Sequence, residues 1–142
     1  CGQGSVSRAL EMNRDDLLEF RSDLFKLLGG SQVPLADKIE LVVSYVEHGE
    51  SKEAVIRRGR TREAIQLVIE FYQQLMRRQV GIDVQGDSLL KDVVEQLVQQ
   101  GAPPPESLAD QLDACLAAEE DILRNVNVSN LIPAWLAQLH SQ

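Results

Sequence analysis

Apolar residues recur at three- and four-residue steps through nearly the whole chain, and alternating strand patterns are almost absent. After Gly2 and Gly4 the pattern predicts a short helix, with Ser5 or Ser7 as N-cap and Ala9, Leu10 and Met12 following. Asn13 leads into a second helix over about 14–28, where Leu17, Leu18, Phe20, Leu24, Phe25, Leu27 and Leu28 form a wide apolar stripe. Asp15, Asp16 and Glu19 near its start suit the helix dipole, and Gly29–Gly30 ends it. Pro34 suits the first position of the next helix, in which Leu35, Ile39, Val42, Val43 and Val46 recur at helical steps until His48–Gly49. The β-branched pair Val42–Val43 does not change that reading, since strand propensity is a weak prior.

Ser51 with Glu53, or Thr61 with Glu63, offers the start of the following helix; Gly59 argues for a stable start nearer Thr61. From Ala64 to Met76 the chain is most apolar, and its hydrophobic residues wrap most of the helix circumference. Such a helix belongs at the centre of a bundle. A loop over 81–86 follows, with Val84 filling a gap, and Asp87 or Ser88 caps a helix through Leu89, Leu90, Val93, Val94, Leu97 and Val98 to Gly101. Pro103–Pro104–Pro105 imposes an extended connection. After Ser107 a helix to about Arg124 carries Leu108, Leu112, Cys115, Leu116, Ile122 and Leu123. Asn125-Val126-Asn127 interrupts it. Asn127 or Ser129 opens the last helix, with Leu131, Ile132, Trp135, Leu136 and Leu139 on one face and Pro133 in about its first turn. The expectation is an all-α fold: a compact bundle of about six helices joined by short loops, without an internal repeat.

Composition narrows the class. At 142 residues the chain fits one domain and can bury roughly two-thirds of its unfolded surface, enough to fold without metal or disulfide. No apolar run approaches the ~20 residues of a membrane span, and no apolar stretch at the start reads as a signal peptide. The first residue is Cys1 and not Met, so a piece of a longer chain is expected. The two cysteines, Cys1 and Cys115, match no metal-ligand spacing; Cys115 reads as a buried structural thiol, and a reducing, cytoplasmic setting fits. A net charge of −8 argues against a surface built throughout for phosphate backbones, although a local basic patch is compatible with it.

Candidate chemistry is sparse. His48 and His140 each fall near a helix end, where a histidine complements the dipole, and neither has a nucleophile in a known local signature. The acidic runs Asp15–Asp16 and Glu119–Glu120–Asp121 lack the Glu-x-x-His partners of a di-iron bundle and read as solvated helix faces. There is no Gly-x-x-x-x-Gly-Lys phosphate loop. No catalytic residue, cofactor, metal or small-molecule substrate is expected for this chain. The feature worth weighing is a basic cluster of Lys52, Arg57, Arg58, Arg60 and Arg62, with Arg77 and Arg78 further on. As a partner-contact surface, Arg57, Arg58, Arg60 and Arg62 would meet carboxylates or phosphate. Without interleaved aromatic stacking groups, a solvated face or a protein partner is the better reading than nucleic acid.

Two stretches carry a family resemblance. Gly4-Ser5-Val6-Ser7-Arg8-Ala9-Leu10 resembles the Gly-Ser-x-x-Arg-Ala-Leu segment ending the AAA+ lid of bacterial DNA polymerase III clamp-loader subunits, most like the delta-prime type. Leu123-Arg124-Asn125-Val126-Asn127-Val128-Ser129-Asn130-Leu131, continuing into Trp135-Leu136-Ala137-Gln138-Leu139, looks like the C-terminal helix pair of the same subunits. The apolar helix over 65–76 with its Tyr72 also matches the order of elements in the family's collar domain. The resemblance implies that 1–12 is a remnant of the lid helix, marked by Gly4, Ser5 and Arg8, and that 13–142 is a helical collar domain. It further implies an assembly role in clamp loading for DNA replication. The partners would be the delta and gamma/tau subunits, bound through collar helices, and DNA would be met indirectly through the full complex, with no membrane involved. Related ATP-hydrolysing subunits place a sensing arginine directly after Gly-Ser-x; that position here is Ser7, with Arg8 one residue later, which favours delta-prime over gamma/tau. A gamma/tau collar and an unrelated helical adaptor, using its arginines on nucleic acid, remain the alternatives.

Overall fold

The computed structural model describes residues 16–30, 33–47, 54–101, 104–124 and 127–140. Among them are six helices and no strand, as the apolar spacing predicts. They are α1 (16–28), α2 (Leu35–Val46), α3 (Ala54–Gln79), α4 (Ser88–Gly101), α5 (Pro105–Leu123) and α6 (Val128–His140). The expected helix before Asn13, the lid-remnant residues Gly4, Ser5 and Arg8, and Asp15, His48 and Lys52 lie outside the described residues.

α3 is the axis of the bundle, and α2, α4, α5 and α6 all pack against it. Ala64, Ile65, Val68, Phe71 and Leu75 are fully buried, and Tyr72 nearly so, which is what a helix apolar on most sides requires. α1 closes over α2 and α3. Phe20 stacks on Tyr45 with ring centroids 4.1 Å apart, and Phe25 meets Phe71 at 5.8 Å. Val84 sits in the α3–α4 loop and packs against the core, the gap-filling role its lone apolar position suggests.

α5 and α6 form an antiparallel pair. Gln111 Nε2 donates to the Leu139 carbonyl at 3.2 Å and Trp135 Nε1 donates to Cys115 Sγ at 3.4 Å. Four residues forward on α5 thus correspond to four residues back on α6. Asn127 makes the turn between them: its Oδ1 accepts the Ser129 N–H at 2.9 Å. Asp87 plays the same part for α4, accepting the Leu90 N–H at 3.0 Å while Arg21 reaches the same carboxylate at 2.6 Å. The guanidinium contact, followed by that amide, holds the Asp87 carboxyl below the usual carboxylate range.

Five boundaries or faces differ from the sequence expectations. α3 begins at Ala54 and runs through Gly59, so Thr61 is no cap; it is buried, and its hydroxyl donates to the Arg57 carbonyl one turn back at 2.7 Å. The glycine's helix penalty, about 1 kcal/mol, is a small term beside the tertiary contacts made by this first stretch. α5 begins at Pro105 and not after Ser107, because proline at a first helical position sacrifices an N–H that has no partner there anyway. Pro34 stands one residue ahead of the place expected, as the extended N-cap of α2 (φ −62°, ψ 148°), and Pro133 lies in the second turn of α6. Finally, Leu18, Leu116 and Leu123, placed on core faces by periodicity, are exposed, and Gln111, Ala114 and Ala118 take the buried positions of α5.

Candidate partner-binding surface

The arginine cluster occupies the first turns of α3, and the helix divides it. At about 100° per residue, Arg57 and Arg60 fall on one side and Arg58 and Arg62 on another. Arg57 turns into the molecule, donating to Ser129 Oγ at 2.8 Å and to Glu47 Oε1 at 3.3 Å, which ties α3 to α6 and to the end of α2. Its Nε is buried without a hydrogen-bond partner. Arg60 donates to the Tyr45 carbonyl at 2.9 Å and lies 5.4 Å from the centroid of the Tyr45 ring. The Tyr45 hydroxyl in turn donates to Glu63. Burial and that carboxylate raise the Tyr45 phenol well above its ordinary value, so it stays a neutral donor. Arg57 and Arg60 are therefore half-buried, fold-holding residues, and two of the four candidate contact arginines are already engaged within the chain.

Arg58 and Arg62 remain. Arg62 is 55% exposed and approaches Glu119 of α5 at 3.9 Å, while Arg58 has no ion pair among the described residues. The Arg62–Glu119 approach locates one flank of α5 beside α3. On α5, Leu116 and Leu123 stand three residues before and four residues after Glu119, on the same side of the helix. On α3, Arg58 and Val55 stand four and seven residues before Arg62, again on one side. Leu116 is 52%, Leu123 71% and Val55 74% exposed. The α3–α5 flank thus presents leucine and valine side chains beside two arginines, with Arg124 at the same end of α5. Sequence reasoning found the arginines but missed the leucines. The legible signal was that Leu116 and Leu123 share a seven-residue step offset from the Leu108, Cys115 and Ile122 stripe.

Two other surface features are grooves. One of about 170 Å³ lies between α1 and α2, where Asp16, Glu19 and Asp23 border the stacked Phe20 and Tyr45 rings. Among the described residues no group of three or more His, Cys, Asp or Glu side chains is placed to hold a metal ion. The other, about 610 Å³, lies at the end of α3 and is bordered by Met76, Arg77, Val80 and Ile82. Arg77 and Arg78 are engaged there: Arg77 Nε donates to the Asp83 carbonyl at 3.4 Å, and Arg78 pairs with Glu95 of α4.

Cys115 is fully buried, as its place on the apolar stripe requires, and burial pushes its thiol up to about 11 despite the indole N–H pointing at it. The Tyr72 phenol is raised too, chiefly by burial. Neither group is poised as a nucleophile. His140 ends α6. None of the described helices is long and apolar enough to cross a membrane. The chain matches no family model, no characterised protein and no solved structure.

Proposed function

We propose that this chain is an assembly domain, the helical collar of a DNA polymerase III clamp-loader subunit of the delta-prime type. Its act is binding: helix faces bury against the collars of neighbouring subunits, so that the AAA+ modules attached to them sit in order. The observation that carries the reading is the C-terminal helix pair. The described part of the segment that resembles the family takes in the end of α5 and nearly all of α6, where Asn127 caps α6 and Trp135, Leu136 and Leu139 dock it onto the bundle. An all-helical fold around one apolar central helix supports it further. So does the nature of the surface, which offers exposed leucine, valine and arginine side chains, the kinds of group from which interfaces are built.

The test is co-elution in gel filtration with purified delta and gamma/tau subunits of the source organism's clamp loader. A stable complex with either is the expected result, and one copy per complex marks the delta-prime type. A folded, helical chain that binds neither subunit removes this reading.

A further inference from the structure

We infer that the α3–α5 flank formed by Arg58, Arg62, Leu116 and Leu123 is the docking face, and that it receives a partner helix bearing leucine-type side chains bordered by carboxylates. The inference deepens the assembly reading and rests on it. Three observations on this flank point the same way.

The first is chemical. Leu116 and Leu123 are 52% and 71% exposed although the rest of the α5 stripe is covered, and they lie one heptad apart, two turns of the same helix face. A partner helix laid along α5 would cover both at once with side chains spaced three, four or seven residues apart. The second is electrostatic. The chain carries a net charge of −8, yet here Arg58 has no acid beside it among the described residues, and Arg62 has Glu119 only at 3.9 Å. A carboxylate arriving beside the leucines would complete both arginines, and guanidinium groups take carboxylates in paired, directional hydrogen bonds. The third is the contrast within the cluster. Arg57 and Arg60 are consumed by Ser129, Glu47 and Tyr45, so the cluster is not a uniform solvated coat. The pair left over is the pair next to exposed leucines.

The same features disfavour a phosphate backbone as the occupant. A phosphate backbone makes no use of the two exposed leucines, whereas a leucine-bearing helix covers both. A second copy of this chain is disfavoured by its like net charge, which opposes close approach except through local complementarity.

The experiment uses the whole chain and, as probes, the purified delta and gamma/tau subunits. Four variants are compared with the parent: Arg58→Glu with Arg62→Glu, Leu123→Ser, Leu116→Ser with Leu123→Ser, and Ile82→Ser as a control in the separate groove at the end of α3. Each is first checked for unchanged helicity and melting temperature, which exposed substitutions should preserve. If the double-leucine variant fails that check, Leu123→Ser alone carries the comparison. The expected result is that the arginine and leucine variants weaken subunit binding by about tenfold or more, while Ile82→Ser binds as the parent does. Binding unchanged in the arginine and leucine variants overturns the docking face and leaves the assembly function standing. No binding by the parent overturns both. Loss of duplex-oligonucleotide binding in the arginine variant, with subunit binding intact, overturns the face in favour of nucleic acid. Dimerisation of the parent that the leucine variants abolish, without subunit binding, overturns it in favour of a second copy.

Discussion

Replacing Gly59 by alanine tests where α3 begins. Gly59 sits in the second turn of a 26-residue helix, is exposed, and an added Cβ there meets nothing within 4 Å. Its backbone is outside the left-handed region, where Gly81 (φ 85°), Gly86 and Gly101 lie. Alanine therefore gains no contact and makes no clash; what changes is the cost of ordering the backbone, which is lower for alanine by about 1 kcal/mol in a helix interior. Unfolding entropy near the transition is about 2.1 cal/mol/K per residue, so 142 residues give about 0.3 kcal/mol/K, and Gly59→Ala should raise the melting temperature by about 3 °C. Gly81→Ala provides the opposite sign. That site is equally open in space, but its φ of 85° costs an L-residue about 1–2 kcal/mol, a fall of about 3–6 °C. Thermal unfolding followed by far-UV circular dichroism reads both. A neutral or destabilising Gly59→Ala, with Gly81→Ala still destabilising, would refute the continuous helix and return the start of α3 to Thr61.

Further outcomes follow from individual contacts. Phe71→Ala empties a fully buried site against the Phe25 and Tyr72 rings, 5.8 and 5.6 Å away, and should cost about 3–5 kcal/mol in denaturant unfolding, a large part of the stability of such a domain. Asp87→Ala removes the α4 cap and the Arg21 pair and should cost about 1 kcal/mol at neutral pH, the exposed ion pair adding little. Because the folded state lowers the Asp87 pKa, its contribution is present above the unfolded value of about 4 and is lost as pH falls through the lower folded value. The melting temperatures of the parent and Asp87→Asn should therefore converge as pH falls below about 4, and a gap that widens on acidification contradicts that assignment. In a Cys1→Ser chain, Cys115 should resist thiol reagents until the protein unfolds, since it is fully buried and its thiol is pushed up to about 11. Fast labelling under native conditions would contradict the packing of α5 on α6.

The helices themselves were legible because their causes are local. Apolar residues at three- and four-residue steps, Asp87 and Asn127 as capping acceptors, and Gly29 after the last turn of α1 all act within a few residues, and each did what its position predicts. The burial of Cys115 and the central place of α3 could likewise be read from apolar faces alone. Other features depended on what lies across the bundle. Gly59 moves the expected helix start to Thr61 by propensity, but a penalty of about 1 kcal/mol yields to tertiary contacts such as Arg57 with Ser129, 72 residues away. Leu116 and Leu123 read as core because periodicity allows a broad apolar arc; which part of the arc is covered depends on where neighbouring helices lie, and α5 buries Ala114 and Ala118 instead, small residues that permit close approach. The four arginines are neighbours along the chain, yet the helix points them in different directions, and only the positions of Tyr45, Glu47 and Ser129 decide which two are engaged within the chain. The sequence by itself determined element type and the central place of α3, since both follow from short-range stereochemistry and from apolar side chains leaving water. Tertiary structure decided which apolar and charged groups stay at the surface, since that depends on distances between residues far apart in the chain.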